Sequence, residues 1–272
     1  FRRVLFRSAE AKVNIESMEE DNPLLFMGSL CHQMVMEPNR AQPAIEFYPE
    51  TFHHPKNGIT AWNLRSPVCL AWKKMKREQG IFTMKRQSGK SGIGWEDILG
   101  MVAAVRGHSL MTAAMNRPQT EVEVSVVSRT TDDDPITIRT RIDLSPGFIQ
   151  EPPEERFLAD FKFTNKPHPE SFPFHIYDMG YHIQARFSLD LWNAANPDDQ
   201  RNRWLIFAVQ QKPPYLAVVH ELRKDFLDLA ALEIPGLIRR FKRCYRTGQW
   251  NGFPQIIYPA DVPRSVARKY EG

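Results

Sequence analysis

The sequence predicts an α/β fold in which a central mixed sheet is flanked by helices, and four segments support this class. Residues 203–210 (RWLIFAVQ) form a nearly continuous apolar run of strand length, which is typical of a central strand covered on both faces. Residues 174–195 carry aromatic and aliphatic side chains at helical spacing. Residues 215–222 (YLAVVHEL) predict another strand, and residues 223–248 predict a last helix that an internal Pro-Gly pair divides or kinks.

Two shorter strands with alternating apolar and polar residues are predicted at residues 136–143 and 157–164. Side chains alternate between the two faces of a strand, so Asp160 and Lys162 lie on the same polar face of the second strand. Asp143 lies on the polar face of the first strand. If the two strands pair as a hairpin, these faces coincide and two carboxylates face one lysine.

Two carboxylates beside a lysine match the needs of metal-dependent phosphodiester hydrolysis. Mg²⁺ held by carboxylates stabilises charge on the reacting oxygens, and it needs only one or two protein carboxylates. We expect Lys162 to orient the attacking water or help to deprotonate it. The neighbouring carboxylates should keep Lys162 protonated until substrate and metal arrive. A solvated, salt-bridged strand face is the alternative for such an Asp-x-Lys triplet.

Seven segments, in a fixed order, carry a resemblance over most of the chain. They are GSLCHQMVMEP (28–38), EDILGMVAAVRGHSL (96–110), VEVSVV (122–127), RTRIDLSPG (139–147), LADFKFT (158–164), YHIQARF (181–187) and GQWNGF (248–253). The pattern resembles the nuclease domain of RecE-type exodeoxyribonuclease VIII. That family belongs to the PD-(D/E)xK superfamily, with the RecB nuclease domain and lambda exonuclease. The resemblance implies a PD-(D/E)xK nuclease core and Mg²⁺-dependent, processive 5′ to 3′ digestion of one strand of duplex DNA.

The resemblance also implies roles for individual residues. Asp143 matches the first metal-binding Asp of the family, and Asp160 and Lys162 match its D-x-K pair. The main-chain carbonyl of Phe161, between that pair, would also bind the metal. His32 matches a histidine that approaches the metal from an N-terminal helix. Without the family, an ordinary buried or helix-surface histidine is the alternative for His32.

Glu123 is a further candidate metal ligand, on different grounds. In TEVEVSVV the valines share one face, which leaves Glu123 on the other face with Glu121 and Ser125. That face would lie near the proposed metal site. A charge that protects an edge strand from aggregation explains Glu123 equally well.

Gln184 and Tyr181 lie in the segment YHIQARF, on the predicted helix 174–195. Gln184 matches a family glutamine, and its amide would hold a DNA phosphate or orient Lys162. The family usually has a tyrosine four residues later, but this chain has Ser188, which weakens the expectation of stacking on DNA there. A helix that packs its aromatic stripe on the sheet, with Gln184 at the rim, is the alternative.

The formal charge of +4 is small for 272 residues, so any DNA affinity must come from local clusters of basic residues. The candidates are Lys73, Lys74, Lys76, Arg77, Lys85, Arg86 and Lys90, with Arg139 and Arg141 near the proposed metal site. A solvated helix face explains the group at 73–77 equally well.

Composition is typical of one compact domain, with 42% hydrophobic and 25% charged residues. We expect residues 9–272 to form a single RecE-like nuclease domain with a truncated N-terminus. The first eight residues, FRRVLFRS, match no part of the family and are interpreted as a non-native, adapter-like segment, with a basic tail or a poor targeting peptide as the alternative.

Three scattered cysteines predict reduced thiols in a cytoplasmic protein. The resemblance implies a bacterium or a phage-infected host. Three thiols cannot supply the four ligands of an iron–sulfur cluster, so the expected cofactor is Mg²⁺ alone, with Mn²⁺ as a substitute. No apolar run approaches the roughly 18 residues that span a bilayer, so no membrane partner is expected.

The resemblance implies an exonuclease that acts on double-stranded DNA ends in phage-type recombination. It also implies a ring-shaped homo-oligomer and a single-strand annealing protein as partner. Two alternatives stay open. One is a structure-specific or restriction-type endonuclease of the same superfamily, and the other is a catalytically silent DNA-binding module.

Overall fold

The computed structural model describes residues 23–87, 92–148 and 151–250, together with Ala260 and Val262. The segment at residues 1–8 and Lys90 lie outside the described residues. The strands of the described part are β1 (Ile45–Phe47), β2 (Thr51–His54), β3 (Gly58–Ala61), β4 (Phe82–Met84), β5 (Glu121–Arg129), β6 (Thr137–Ser145), β7 (Phe157–Thr164), β8 (Arg203–Gln210) and β9 (Ala217–Glu221). The helices are α1 (Pro23–Met36), α2 (Pro67–Glu78), α3 (Trp95–Gly107), α4 (Ser109–Met115), α5 (Phe172–Met179), α6 (Tyr181–Ala195) and α7 (Lys224–Thr247).

A five-stranded mixed sheet in the order β5-β6-β7-β8-β9 forms the centre of the fold. β7 and β8 are parallel, and the other neighbouring strands are antiparallel. The connection between the parallel strands contains α5 and α6. The predicted α/β class with a central mixed sheet is therefore confirmed, and β8 is the buried interior strand that its apolar run predicts.

Two apolar layers cover the sheet, one on each face. On the first face, α1 and α3 pack against Ala159, Phe161 and Phe207. On the second face, α5 and α6 pack against Leu158 and Ile206. Burial on both faces explains why the interior strands are apolar nearly throughout.

The predicted hairpin of β6 and β7 forms at one position only. Leu144 and Ala159 are paired across the two strands, whereas β5 and β6 are paired along nearly their whole length. On one side of this pair, next to Asp143 and Asp160, the two strands therefore leave a gap. The Phe161 N–H on β7 donates to Asp143 Oδ2 at 2.8 Å, so a carboxylate takes the place of a strand carbonyl.

The predicted polar face of β7 is not a solvated face. Leu158, Asp160 and Thr164 are all buried, because α6 covers this side of the sheet. The period-two alternation is correct, but polarity alone does not distinguish a solvent-facing strand from one whose polar groups are paired inside the protein.

The helix predicted over residues 174–195 is two helices. Gly180 separates α5 from α6 with a φ of 72°, a left-handed conformation that glycine adopts without steric strain. The last predicted helix is a single helix, because Pro235 and Gly236 lie inside α7 and do not divide it. Both residues are exposed, so water can reach the carbonyl that the proline leaves without a donor.

No single described helix is long and apolar enough to cross a bilayer. The helices α3 and α4 reach that length and composition only when taken together, and they bend by 82° relative to each other.

We predict that Gly147→Ala destabilises the fold by about 1–3 kcal/mol, the usual result of overpacking. Gly147 follows β6, and an added Cβ would overlap the main-chain carbonyl of Pro118. Gly107→Ala is the matched control, because a Cβ there meets nothing within 4 Å and lies in α3. Urea unfolding should show no loss of stability for the control. Equal stability of the two variants would contradict the predicted overlap.

Candidate active site

The gap between β6 and β7 receives a histidine from α1. His32 Nδ1 lies 3.4 Å from Asp143 Oδ2, and the two side chains are 21% and 13% exposed. The helix is held there by its apolar face, which carries Leu30 and Met34 into the core. The apolar residues of the segment GSLCHQMVM therefore anchor α1 in the core, and its histidine lies at the gap between β6 and β7.

Glu123 completes a compact cluster of donor atoms. One ligand atom each from His32, Glu123 and Asp143 lies within 4.8 Å of the others, and we call these three residues the donor cluster. Glu123 has a φ of 56°, an uncommon conformation for a residue with a side chain. Glu123 and Asp143 are also missing from the β5–β6 ladder, although the residues on both sides of them are paired. This local strain, of order 1 kcal/mol, accompanies the placement of the Glu123 carboxylate beside Asp143.

Asp160 and Lys162 lie on the α6 side of the gap, outside the donor cluster. Asp160 Oδ1 accepts a hydrogen bond from Gln184 Nε2 at 2.6 Å. Asp160 Oδ2 is buried and forms an ion pair with Lys162 Nζ. Lys162 Nζ lies 4.8 Å from the centre of the Tyr181 ring, within range of a cation–π interaction.

The electrostatics of the site favour the capture of a cation. Burial lowers the pKa of His32 to about 4, although the charge of Asp160 acts in the opposite direction. The imidazole is therefore neutral at pH 7 and offers a lone pair. Burial raises the pKa of Asp143 well above its usual range, and the charge of Asp160 raises it further. A divalent cation would relieve the repulsion between these two carboxyl groups.

Lys162 carries its charge in the same site. Burial alone would lower the pKa of Lys162, but the charges of Asp160 and Asp143 outweigh burial, and the net shift is upward. The expectation that neighbouring carboxylates keep this lysine protonated agrees with that direction.

The donor atoms fit a divalent metal ion. One neutral imidazole and two carboxylates form a common ligand set, and a main-chain carbonyl adds a fourth donor. The N–H and C=O of a strand residue point to the same edge of the strand. The Phe161 N–H points to Asp143, so the Phe161 carbonyl also faces the gap. The buried Asp160 Oδ2, which is paired with Lys162 Nζ, is a further carboxylate oxygen on β7.

Two cavities open beside the donor cluster, and His32 lines both of them. A cavity of about 430 Å³ is lined by the donor cluster together with Ser29, Gln33, Glu37, Arg40 and Arg141. A cavity of about 180 Å³ on the other side is lined by His32, Phe161, Lys162 and Gln211, among others. Sequence reasoning missed several of these residues. Ser29 and Gln33 on α1 and Glu37 just after it are spaced four residues apart, and with hindsight this spacing indicates a shared face. Nothing in the sequence around Gln211 marks that residue.

The predicted DNA-contact residues fall into two places. Arg139 and Arg141 are exposed on β6, and Arg141 forms an ion pair with Glu123 of the donor cluster. Lys85 and Arg86 are exposed just after β4, a strand of the small β1–β4 sheet that is separate from the five-stranded sheet. Among these four residues, the structure therefore shows only Arg141 in contact with the donor cluster, and Arg139 lies two residues before it on β6.

Ser188 stands where the RecE-type family usually has a tyrosine. Its side chain is fully buried, and its Oγ lies 2.6 Å from Thr140 Oγ1, between α6 and β6. The position is part of the packing of α6 on the sheet, so a contact with DNA at this position is not available in this chain.

The model of the family described as "PDDEXK-like domain of unknown function (DUF3799)" matches residues 7–253. A crystal structure described as a "Putative exonuclease" from Eubacterium rectale is similar, with 12% identity, a TM-score of 0.49, and coverage of 89% of this chain and 80% of that chain. The structure of SSO0001 is similar over 52% of this chain and 60% of that chain, with 15% identity and a TM-score of 0.30. A search of curated proteins gave no match. Since the family model covers most of the sequence, the chain belongs to this PDDEXK-like family.

Proposed function

We propose that this protein is a metal-dependent deoxyribonuclease and that the gap between β6 and β7 is its active site. Membership of the PDDEXK-like family supports the nuclease class. The observation that carries the proposal is the donor cluster of His32, Glu123 and Asp143, with ligand atoms within 4.8 Å of one another. A protonated lysine lies across the same gap, so metal ligands and a cation for the phosphate are close together.

The metal is Mg²⁺, with Mn²⁺ as a substitute, and this chain would hold it with both strands that border the gap. His32, Asp143 and the Phe161 carbonyl are the proposed ligands, Asp160 contributes from β7, and Glu123 is the additional carboxylate. When bound, Mg²⁺ supplies positive charge that stabilises the oxygens of the reacting phosphodiester.

Lys162 is the proposed catalytic residue that handles the attacking water. Lys162 is one of the residues that line the cavity of about 180 Å³ beside His32. The Asp160 carboxylate and the Tyr181 ring hold its ammonium group on the α6 side. Gln184 fixes the second oxygen of Asp160 and so limits rotation of the carboxylate that positions the lysine. From this position Lys162 orients water and neutralises charge that develops on the phosphate.

Double-stranded DNA ends are the proposed substrate, in a RecE-type, 5′ to 3′ exonuclease reaction of phage-type recombination. This finer assignment rests on the sequence resemblance. The exposed Arg139 and Arg141 would bind backbone phosphates beside the donor cluster, and Lys85, Arg86 and Lys90 would do so farther away. The ring-shaped homo-oligomer, the annealing partner and the cytoplasmic location are proposals on the same basis.

We predict that Lys162→Ala lowers the rate of digestion of end-labelled duplex DNA in Mg²⁺ by roughly 100- to 10,000-fold, the usual effect of removing a group that assists proton transfer. Lys166→Ala is the matched control, because Lys166 is an exposed lysine just after β7. The control should digest at the wild-type rate. Full activity of the Lys162 variant would remove this lysine from the mechanism.

Linear and covalently closed circular DNA should be digested at very different rates, because an exonuclease needs an end. Wild-type protein in Mg²⁺ is expected to degrade the linear form and to leave closed circles intact on an agarose gel. Rapid cutting of closed circles would replace the exonuclease proposal with an endonuclease of the same superfamily.

We predict that Asp143→Asn raises the thermal stability of the metal-free protein at pH 7.5. The pKa of Asp143 is raised in the folded state, so the folded state binds its proton more tightly than the unfolded state does. The wild type therefore loses stability as pH rises above the unfolded value of about 4 and through the raised folded value. An asparagine does not titrate, so the variant has no such loss of stability with rising pH. Its Oδ1 can still accept a hydrogen bond from the Phe161 N–H.

Thermal unfolding in EDTA measures this effect. Each increase of about 1 kcal/mol in the free energy of unfolding should raise the Tm by about 2–4 °C. The difference between variant and wild type should shrink toward pH 4. Added Mn²⁺ should raise the Tm of the wild type and not that of the variant. Asp190→Asn, at an exposed carboxylate paired with Arg186, is the control and should change neither quantity. A variant less stable than the wild type at pH 7.5 would contradict the argument.

A further inference from the structure

The positive charge of the chain is concentrated in one small region. Residues 45–87, which contain β1 to β4 and α2, carry eight lysines and arginines and three glutamates, a formal charge of +5. The whole chain carries +4, so the other residues contribute no net positive charge. Two of the glutamates pair with lysines of α2, Glu46 with Lys76 and Glu78 with Lys74. The net charge of +5 gives this region a field that attracts a polyanion.

Aromatic rings share this region with the cations. The rings of Tyr48 and Trp62 are stacked with centres 5.7 Å apart, and Trp72 meets Trp62 edge-on at 5.1 Å. Phe52 meets Trp62 edge-on at 6.3 Å, and His54 continues the row beside Phe52. All five rings are partly exposed, and none belongs to the buried core clusters. We call these five residues the aromatic row.

A cavity of about 250 Å³ joins the aromatic row to the basic side chains. Tyr48 lines it together with Lys73 and Arg77, which stand four residues apart on one face of α2. Lys76 Nζ lies 5.5 Å from the centre of the Trp72 ring. Cationic groups therefore flank the rings on the side of α2.

The region is also close to the proposed active site along α1. Phe26 lines the same cavity and stacks on Phe82 of β4 at 3.5 Å. Phe26 precedes His32 by six residues on α1, which corresponds to about 9 Å along the helix axis.

We infer that β1 to β4 and α2 form a binding surface for single-stranded DNA, distinct from the metal site. A single strand offers both phosphates and unpaired bases, whereas a duplex keeps its bases stacked on one another. Lys73 and Arg77 bind phosphates, and rings of the aromatic row stack on bases without sequence preference. The surface needs no metal and no hydrolysis, so it goes beyond the proposed nuclease activity.

Binding of a fluorescein-labelled oligo(dT) in EDTA, followed by anisotropy, tests the charged part of this surface. The double variant K73A/R77A should bind about tenfold more weakly than the wild type, and its salt dependence should be shallower by about 1.4, which corresponds to two lost phosphate contacts on a single strand. K166A/K224A removes the same charge from exposed positions elsewhere and is the matched control. Equal affinity of wild type and K73A/R77A across the salt series would overturn the inference.

An abasic oligonucleotide of the same length tests the aromatic part without altering the protein. It keeps the phosphates and removes the bases, so the wild type should bind it about tenfold more weakly than oligo(dT). Oligo(dT) should also quench the tryptophan fluorescence of Trp62 and Trp72, and the abasic strand should not. Equal affinity for both strands, or equal competition by a duplex, would overturn the inference, because charge alone would then explain binding. Loss of digestion in Mg²⁺ with intact binding in EDTA would count against the nuclease proposal only.

Discussion

The single pairing position between β6 and β7 is the constraint on which the rest of the site depends. Fully paired strands would direct the Phe161 N–H and carbonyl into ladder hydrogen bonds, and no room for an ion would remain. Because the ladder holds only at Leu144 and Ala159, the Asp143 carboxylate can enter the gap and accept the Phe161 N–H. The same gap leaves the carbonyl available and admits His32 from α1. The site is therefore a consequence of incomplete sheet formation in an otherwise continuous sheet.

This arrangement holds carboxyl groups in a buried environment, where the charged form of such a group is unfavourable. Burial raises the pKa of Asp143, and the buried Asp160 needs both Gln184 and Lys162 beside its oxygens. A buried carboxylate without such partners would be strongly destabilising. The fold tolerates this because apolar layers on both faces of the sheet supply the stability. The candidate active site is thus a locally unfavourable region that a well-packed core holds in position, as is common where function requires a fixed arrangement of charges.

Sequence reasoning predicted the parts of this structure that depend on local pattern. The continuous apolar run of β8 and the period-two alternation that places Asp160 beside Lys162 are local features of the sequence, and both hold in the structure. The gap at Asp143 could not be predicted in this way, because strand pairing depends on contacts between segments distant in sequence. The burial of Asp160 under α6 has the same origin, since Gln184 lies 24 residues farther along the chain. Gly180 was a detectable signal for the break between α5 and α6, but a glycine inside a helical pattern is often tolerated.

Charge and chemistry are divided between two parts of the chain, and the division has a physical consequence. The five-stranded sheet carries the donor cluster, and its carboxylates repel a polyanion until a cation is bound. The region of β1 to β4 and α2 carries the excess positive charge, and we expect it to attract the same polyanion at a separate surface. α1 connects the two, with Phe26 at the cavity beside Tyr48 of the aromatic row and His32 in the donor cluster. A nucleic acid strand held by the region of β1 to β4 and α2 would therefore reach the donor cluster from the side of α1. A metal ion bound there would then reverse the local repulsion between the carboxylates and the strand.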